Sequence, residues 1–208
     1  MTRFPDHGLY CITDLHLAKG RSHAEQARLC LDGGARIIQL RDKETPYAAL
    51  LPQACEVAAL CRERGAVFIV NDDPRLAVES GADGVHVGQS DTPVEEARRL
   101  VGPGRIVGLS THTREELAAA QSLPADYLGF GPVFATTTKA MSHPPHGAAE
   151  AGWAIRRSAL PIVPIGGITL ENLPSLVAEG ARYAAVVSAV VAAGDIAAAA
   201  RVLAALLK

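Results

Sequence analysis

Short, almost wholly apolar runs alternate with longer stretches of mixed polarity along the whole chain. The apolar runs cover 9–13, 37–41, 67–71, 84–87, 106–110, 127–130, 162–165 and 183–187. Runs this short that are apolar at consecutive positions predict strands covered on both faces. The stretches between them predict helices over 22–32, 46–64, 74–80, 93–100, 114–122, 148–158, 170–178 and 196–207. Several carry start signals: Thr92 before Pro93 at the first helical position, Thr113 before Arg114-Glu115-Glu116, and Thr169 before Leu170-Glu171-Asn172. Gly33, Gly65, Gly81 and Gly180 sit where helices should stop. Eight strand–helix units in strict alternation predict one α/β domain over residues 1–208, a (β/α)8 TIM barrel. An open doubly wound sheet is the alternative. It usually has fewer strands, and no G-x-G-x-x-G turn follows the first strand.

Composition narrows the picture. Hydrophobic residues make up 49% of the 208 and aromatics only 4%, which predicts a core of Ala, Val, Ile and Leu. A formal net charge of −2 gives no drive toward nucleic acid or a membrane surface, so any anion site must be local. Cys11, Cys30, Cys55 and Cys61 form no C-x-x-C pair and read as reduced, mostly buried thiols of a cytoplasmic protein. The first residues lack the apolar run of a signal peptide, and no run of eighteen apolar residues predicts a membrane span.

Barrel enzymes work at the C-terminal ends of their strands, and there the polar residues gather. The second strand ends Gln39-Leu40-Arg41-Asp42-Lys43, and alternation points Gln39, Arg41 and Lys43 to one side. Asn71-Asp72-Asp73 follows the third strand and Gly88-Gln89-Ser90-Asp91 the fourth. Carboxylates at neighbouring strand ends beside an Arg/Lys cluster suit Mg²⁺ shared with a diphosphate. Asp73, just before Pro74, reads better as a helix cap, and Asp91 fits either role. Ser110-Thr111-His112 closes the fifth strand, with His112 an acid–base candidate or a polar rim residue. Gly166-Gly167 after the seventh strand and Val187-Ser188 after the eighth occupy the usual barrel phosphate site. His86 and Trp153 read as core or surface filler.

The most distinctive stretch is Gly131-Pro132-Val133-Phe134-Ala135-Thr136-Thr137-Thr138-Lys139. It places three hydroxyls and an ammonium just past the sixth strand, in a loop over 135–147 with no helix signal. Loops of that length are often binding loops, and hydroxyls beside a cation suit a phosphorylated ligand.

Taken in order, these pieces resemble the thiamine-phosphate synthase family. The resemblance runs from about residue 9 to residue 189 and includes His86-Val87-Gly88-Gln89-Ser90-Asp91 and Ile165-Gly166-Gly167-Ile168. It implies a TIM barrel that joins a pyrimidine diphosphate to a thiazole phosphate and releases pyrophosphate. It implies that Gln39, Leu40, Arg41, Asp42, Lys43, Asn71, Ser110 and Lys139 hold the pyrimidine diphosphate. Asp72 and Asp91 would bind Mg²⁺, while Thr136, Thr137, Thr138, Gly167, Val187 and Ser188 would hold the thiazole phosphate. Arg41, Lys43 and Lys139 would carry the catalytic charge. The loop from Ala140 to His146 departs from the family's usual basic version. A thiazole tautomerase resembles the chain at Ser110-Thr111-His112 but lacks the paired aspartates and the Thr-x-Thr-Lys loop. A non-catalytic barrel that binds a phosphorylated ligand and regulates a partner is the third reading.

Overall fold

The computed structural model describes residues 4–136, 138 and 143–207. In chain order the elements are β1 (Gly8–Thr13), α1 (His23–Asp32), β2 (Ile37–Leu40), α2 (Tyr47–Arg64), β3 (Val67–Asn71), α3 (Pro74–Glu79), β4 (Gly84–Val87) and α4 (Val94–Val101). There follow β5 (Ile106–Thr111), α5 (Arg114–Ala120), β6 (Tyr127–Phe130), α6 (Ala148–Arg157), β7 (Ile162–Pro164), α7 (Leu173–Ala178), β8 (Tyr183–Val186), α8 (Ser188–Val191) and α9 (Ile196–Ala204). The eight strands are parallel and pair in the order β7-β6-β5-β4-β3-β2-β1-β8. Between β7 and β8 the barrel closes through one bridge, Ile165 to Ala185. Pro164 ends β7 one residue earlier than the apolar run suggests, because proline has no N–H to give a neighbouring strand.

Local chemistry sets the helix ends. Ser22 and Glu25 form a reciprocal capping box at the start of α1, with bonds of 3.1 and 2.9 Å. Thr113 caps α5 through the Glu116 amide, and Asp73 caps α3 through the Leu76 amide. Two expected caps fail. Pro93 itself takes the cap position of α4, without a side-chain bond. The α7 helix starts at Leu173, because the Asn172 side chain accepts from the Thr169 amide and folds 169–172 into a turn. Gly33 stays right-handed, and the left-handed residue there is Gly34 at φ 93°. The four-residue α8 has no counterpart in the predicted elements.

Strand alternation divides the core in two. Outward residues such as Ile38, Leu40, Val70 and Leu128 pack against the helices in a mainly aliphatic layer that also holds Phe68 and Phe130. Inside the barrel, Phe4, Tyr10, Tyr127 and Tyr183 pack with Ile37, Ile69 and Ile106. Four of the nine aromatic residues thus lie inside the barrel, in a core predicted from composition to be aliphatic, and Phe4 stacks on Tyr127 at 4.3 Å. Three of the four cysteines are buried and Cys55 is exposed. Among the described residues no helix is long and apolar enough to cross a membrane.

One glycine makes the inner layer possible. Register aligns His86 with Gly108 and Gly108 with Tyr127. A Cβ on Gly108 would run into the Tyr127 ring and His86 Nδ1. Gly108→Ala should therefore cost about 1–3 kcal/mol, the usual range for overpacking a filled core. The drop in urea midpoint at constant m-value measures it, and an unchanged midpoint would show that the two rings part freely.

Candidate active site

All eight strands contribute to one cavity at the C-terminal end of the barrel. Its floor is inward-facing: Tyr10, Gln39, Asn71, His86, Ser110 and Tyr127. Its rim carries Arg41, His112, Thr136, Thr138, Gly166, Gly167, Val187 and Ser188.

On one side stands the charged cluster. Lys43 Nζ lies 2.9 Å from Asp72 Oδ2. Asp72 sits at φ 63°, a left-handed conformation uncommon outside glycine, and its amide donates to the His86 carbonyl at 2.8 Å. Burial raises the Asp72 carboxyl above its ordinary range. The neighbouring Asp91 carboxylate raises it further, while Lys43 holds it down. Asp91 Oδ2 accepts from the Gly88 amide at 2.8 Å, which ties it to the turn after β4. Arg41 Nη1 lies 3.9 Å from Asp14 Oδ2. Asp14 is itself fixed by the His16 and Leu17 amides at 2.9 and 3.0 Å, so it aims the guanidinium from a set position.

Opposite lies a small-residue wall. Gly166 and Gly167 have φ of 102° and 61°, and a Cβ on either would strike the 132–135 backbone. The Phe134 amide donates to the Gly166 carbonyl at 2.9 Å, and Asn172 Nδ2 donates to that of Gly167 at 2.9 Å. Val187 and Ser188 open the short α8 directly beside them. Glycine-rich backbone after β7 together with a short extra helix after β8 is the arrangement with which barrels hold phosphate. Thr136 and Thr138 line the same side, with the Thr138 amide donating to Thr136 Oγ1 at 3.3 Å.

Most of the residues singled out in the sequence therefore meet around one cavity. Lys43 and Asp72 line an adjoining pocket that shares Asn71 with it, and Leu40 and Asp42 do not line the barrel cavity either. Leu40 is fully buried in the aliphatic layer, as alternation requires of the neighbour of Gln39. Asp42 turns away to His23 Nε2, 3.1 Å distant, and accepts from the Glu44 and Thr45 amides at 2.9 Å each. Burial alone would raise its carboxyl, but the two amides and His23 outweigh it and hold the group well below the usual range. Thr137 and Lys139 lie outside the described residues, as do Ala140, Met141 and Ser142. His112 is committed: Nδ1 donates to the Gly131 carbonyl at 2.6 Å, and the ring stacks on His143 at 5.1 Å.

His86 is no filler. Nδ1 lies 2.9 Å from the Tyr127 hydroxyl and Nε2 2.8 Å from Ser110 Oγ. Tyr10 and Tyr127 extend the network to Gln39. The signal available in the sequence was parity, since His86 shares the inward register of Asn71.

The family profile described as thiamine monophosphate synthase matches residues 9–190. A thiamine-phosphate synthase of Methanospirillum hungatei is 48% identical over 196 residues, covering 94% of this chain and 95% of its own. One of Methanocella arvoryzae is 46% identical over 195 residues, covering 94% and 92%. A solved thiamine phosphate pyrophosphorylase from Pyrococcus furiosus superposes with a TM-score of 0.89 at 34% identity, covering 96% and 95%. With its eight-stranded barrel and the ordered strand-end residues, this chain belongs to the thiamine monophosphate synthase family.

Proposed function

We propose that the chain joins 4-amino-2-methyl-5-hydroxymethylpyrimidine diphosphate to thiazole phosphate, giving thiamine phosphate and pyrophosphate. The observation that carries this reading is the junction of two anion-binding regions. Arg41 lines the cavity together with Gly167, Val187 and Ser188, and Lys43 and Asp72 line a second pocket that adjoins it through Asn71, with Asp91 beside Asp72. Such an arrangement suits two phosphorylated substrates held end to end.

The Asp72–Asp91 pair fits a divalent metal. Two carboxylates close enough to raise the proton affinity of one repel each other, and a hard cation would relieve them. Among the described residues no third His, Cys, Asp or Glu joins them. The remaining ligands would be substrate oxygens and water, which is the habit of Mg²⁺. Bound there, Mg²⁺ would neutralise charge growing on the departing pyrophosphate.

The other steps fall to the chain's own groups. Arg41 and Lys43 reach the diphosphate from β2, and Lys139 would add a third positive charge from the loop. They stabilise the leaving group as its bond to the pyrimidine methylene lengthens. The thiazole nitrogen brings its own lone pair, so no general base is required. Asn71 and Ser110 orient the pyrimidine, while Gly167, Val187, Ser188 and the Thr136–Thr138 hydroxyls fix the thiazole phosphate. That alignment converts a bimolecular encounter into a positioned one. The unpaired cysteines suit a reducing compartment, the cytoplasm.

Purified protein incubated with both substrates and Mg²⁺ should form thiamine phosphate and pyrophosphate in equal amounts. Absence of product from folded protein would overturn the assignment.

A further inference from the structure

The cavity floor is a chain of hydrogen bonds whose direction can be worked out by counting protons. Gln39 Nε2 donates to the Tyr10 hydroxyl at 2.8 Å. The Tyr10 and Tyr127 hydroxyls lie 2.8 Å apart. Tyr127 is 2.9 Å from His86 Nδ1, and His86 Nε2 is 2.8 Å from Ser110 Oγ. Both phenols are buried, and burial holds them protonated well above the ordinary tyrosine range, so each carries one proton.

An amide nitrogen donates and does not accept. Tyr10 therefore accepts from Gln39 and passes its one proton toward Tyr127. Tyr127 in turn donates to His86 Nδ1, which must be the bare ring nitrogen. The neutral ring then carries its proton on Nε2 and donates it to Ser110 Oγ. The hydroxyl proton of Ser110 is left for the cavity. At the other end Gln39 keeps its Oε1 as an acceptor on the same floor.

We infer that Tyr127 and His86 are positioning residues that set the floor's polarity, with Ser110 donating and Gln39 Oε1 accepting, and so select a 4-aminopyrimidine over a 4-oxopyrimidine. The aminopyrimidine edge offers an accepting ring nitrogen beside a donating amino group. The oxo edge offers an N–H beside a carbonyl, the reverse pattern, and a polar site built for one rejects the other strongly. The identity of the ligand rests on the synthase reading; the direction of the hydrogen-bond chain does not.

The test has two parts. Nitrogen-15 spectra of histidine-labelled protein, with the His86 signals assigned from His86→Asn, report the tautomer without any ligand. The neutral ring should carry its proton on Nε2, and a wild-type ring protonated on Nδ1 would overturn the inference whether or not any variant folds. Tyr127→Phe keeps the ring and its stack on Phe4 but breaks the relay. It should shift part of the His86 population to Nδ1–H. By calorimetry it should lower the preference for the aminopyrimidine diphosphate over its 4-oxo analogue by about tenfold, the order of one hydrogen bond. Affinity for inorganic pyrophosphate should stay unchanged. A Tyr127→Phe protein with the wild-type preference would sink the positioning role. Wild-type protein that binds pyrophosphate but neither pyrimidine, with the proton on Nε2, would overturn the synthase reading and the selectivity while leaving the direction of the chain intact.

Discussion

Arg41→Ala should lose nearly all coupling activity, with kcat/KM falling by about 10²–10³-fold, the scale of removing one preorganised charged donor from a transition state. A planar guanidinium would grip the diphosphate with paired N–H groups, a grip that Lys43 cannot duplicate. The variant should still fold. Asp14, the carboxylate beside Arg41, keeps its bonds from the His16 and Leu17 amides. His112→Ala should stay within about tenfold of wild type, because coupling requires no proton transfer at carbon, where general acid–base groups act. Steady-state kinetics on the two variants compare the readings directly. A dead His112→Ala beside a near-normal Arg41→Ala would favour tautomerase-like proton chemistry and sink the synthase assignment.

The second large effect concerns the carboxylate pair. Asp72→Asn and Asp91→Asn should each lower kcat by about 10²-fold or more, since each would remove an anionic ligand from the proposed Mg²⁺ site. Asparagine is a clean replacement at residue 72. It tolerates the left-handed backbone there, so loss of charge rather than loss of fold is measured. Chelation with EDTA should abolish turnover, and added Mg²⁺ should restore it. Both variants should need more Mg²⁺ for half-maximal rate. Undiminished activity in EDTA would remove the metal from the mechanism.

The barrel was legible because its strands are buried on both faces and their short runs are largely apolar. Parity within those runs carries the site as well. It turns Gln39, Asn71 and Ser110 inward, and the same rule sends Leu40 outward. Other features depend on contacts between distant residues. Asp42 stands between two cations in the sequence, yet His23 from α1 claims it. Tyr10 and Tyr127, 117 residues apart, read as ordinary core until their hydroxyls are seen to meet. His86 sits within a valine-rich strand, and its role emerges only because Gly108 leaves the neighbouring inward position empty. The cap expected at Thr169 gave way to a local turn, in which the Asn172 side chain accepts from the backbone N–H of Thr169.

The single bridge between β7 and β8 makes that joint the least stitched part of the cylinder wall. Gly167 stands on one bank of the joint and Val187 with Ser188 on the other. A phosphate seated between them would act as a rivet, joining two strands that the backbone itself barely laces together. Occupancy and mechanical closure of the barrel then become one event. Ligand binding would stiffen the wall from which the ligand hangs, and a vacated site would leave the cylinder free to gape along that line.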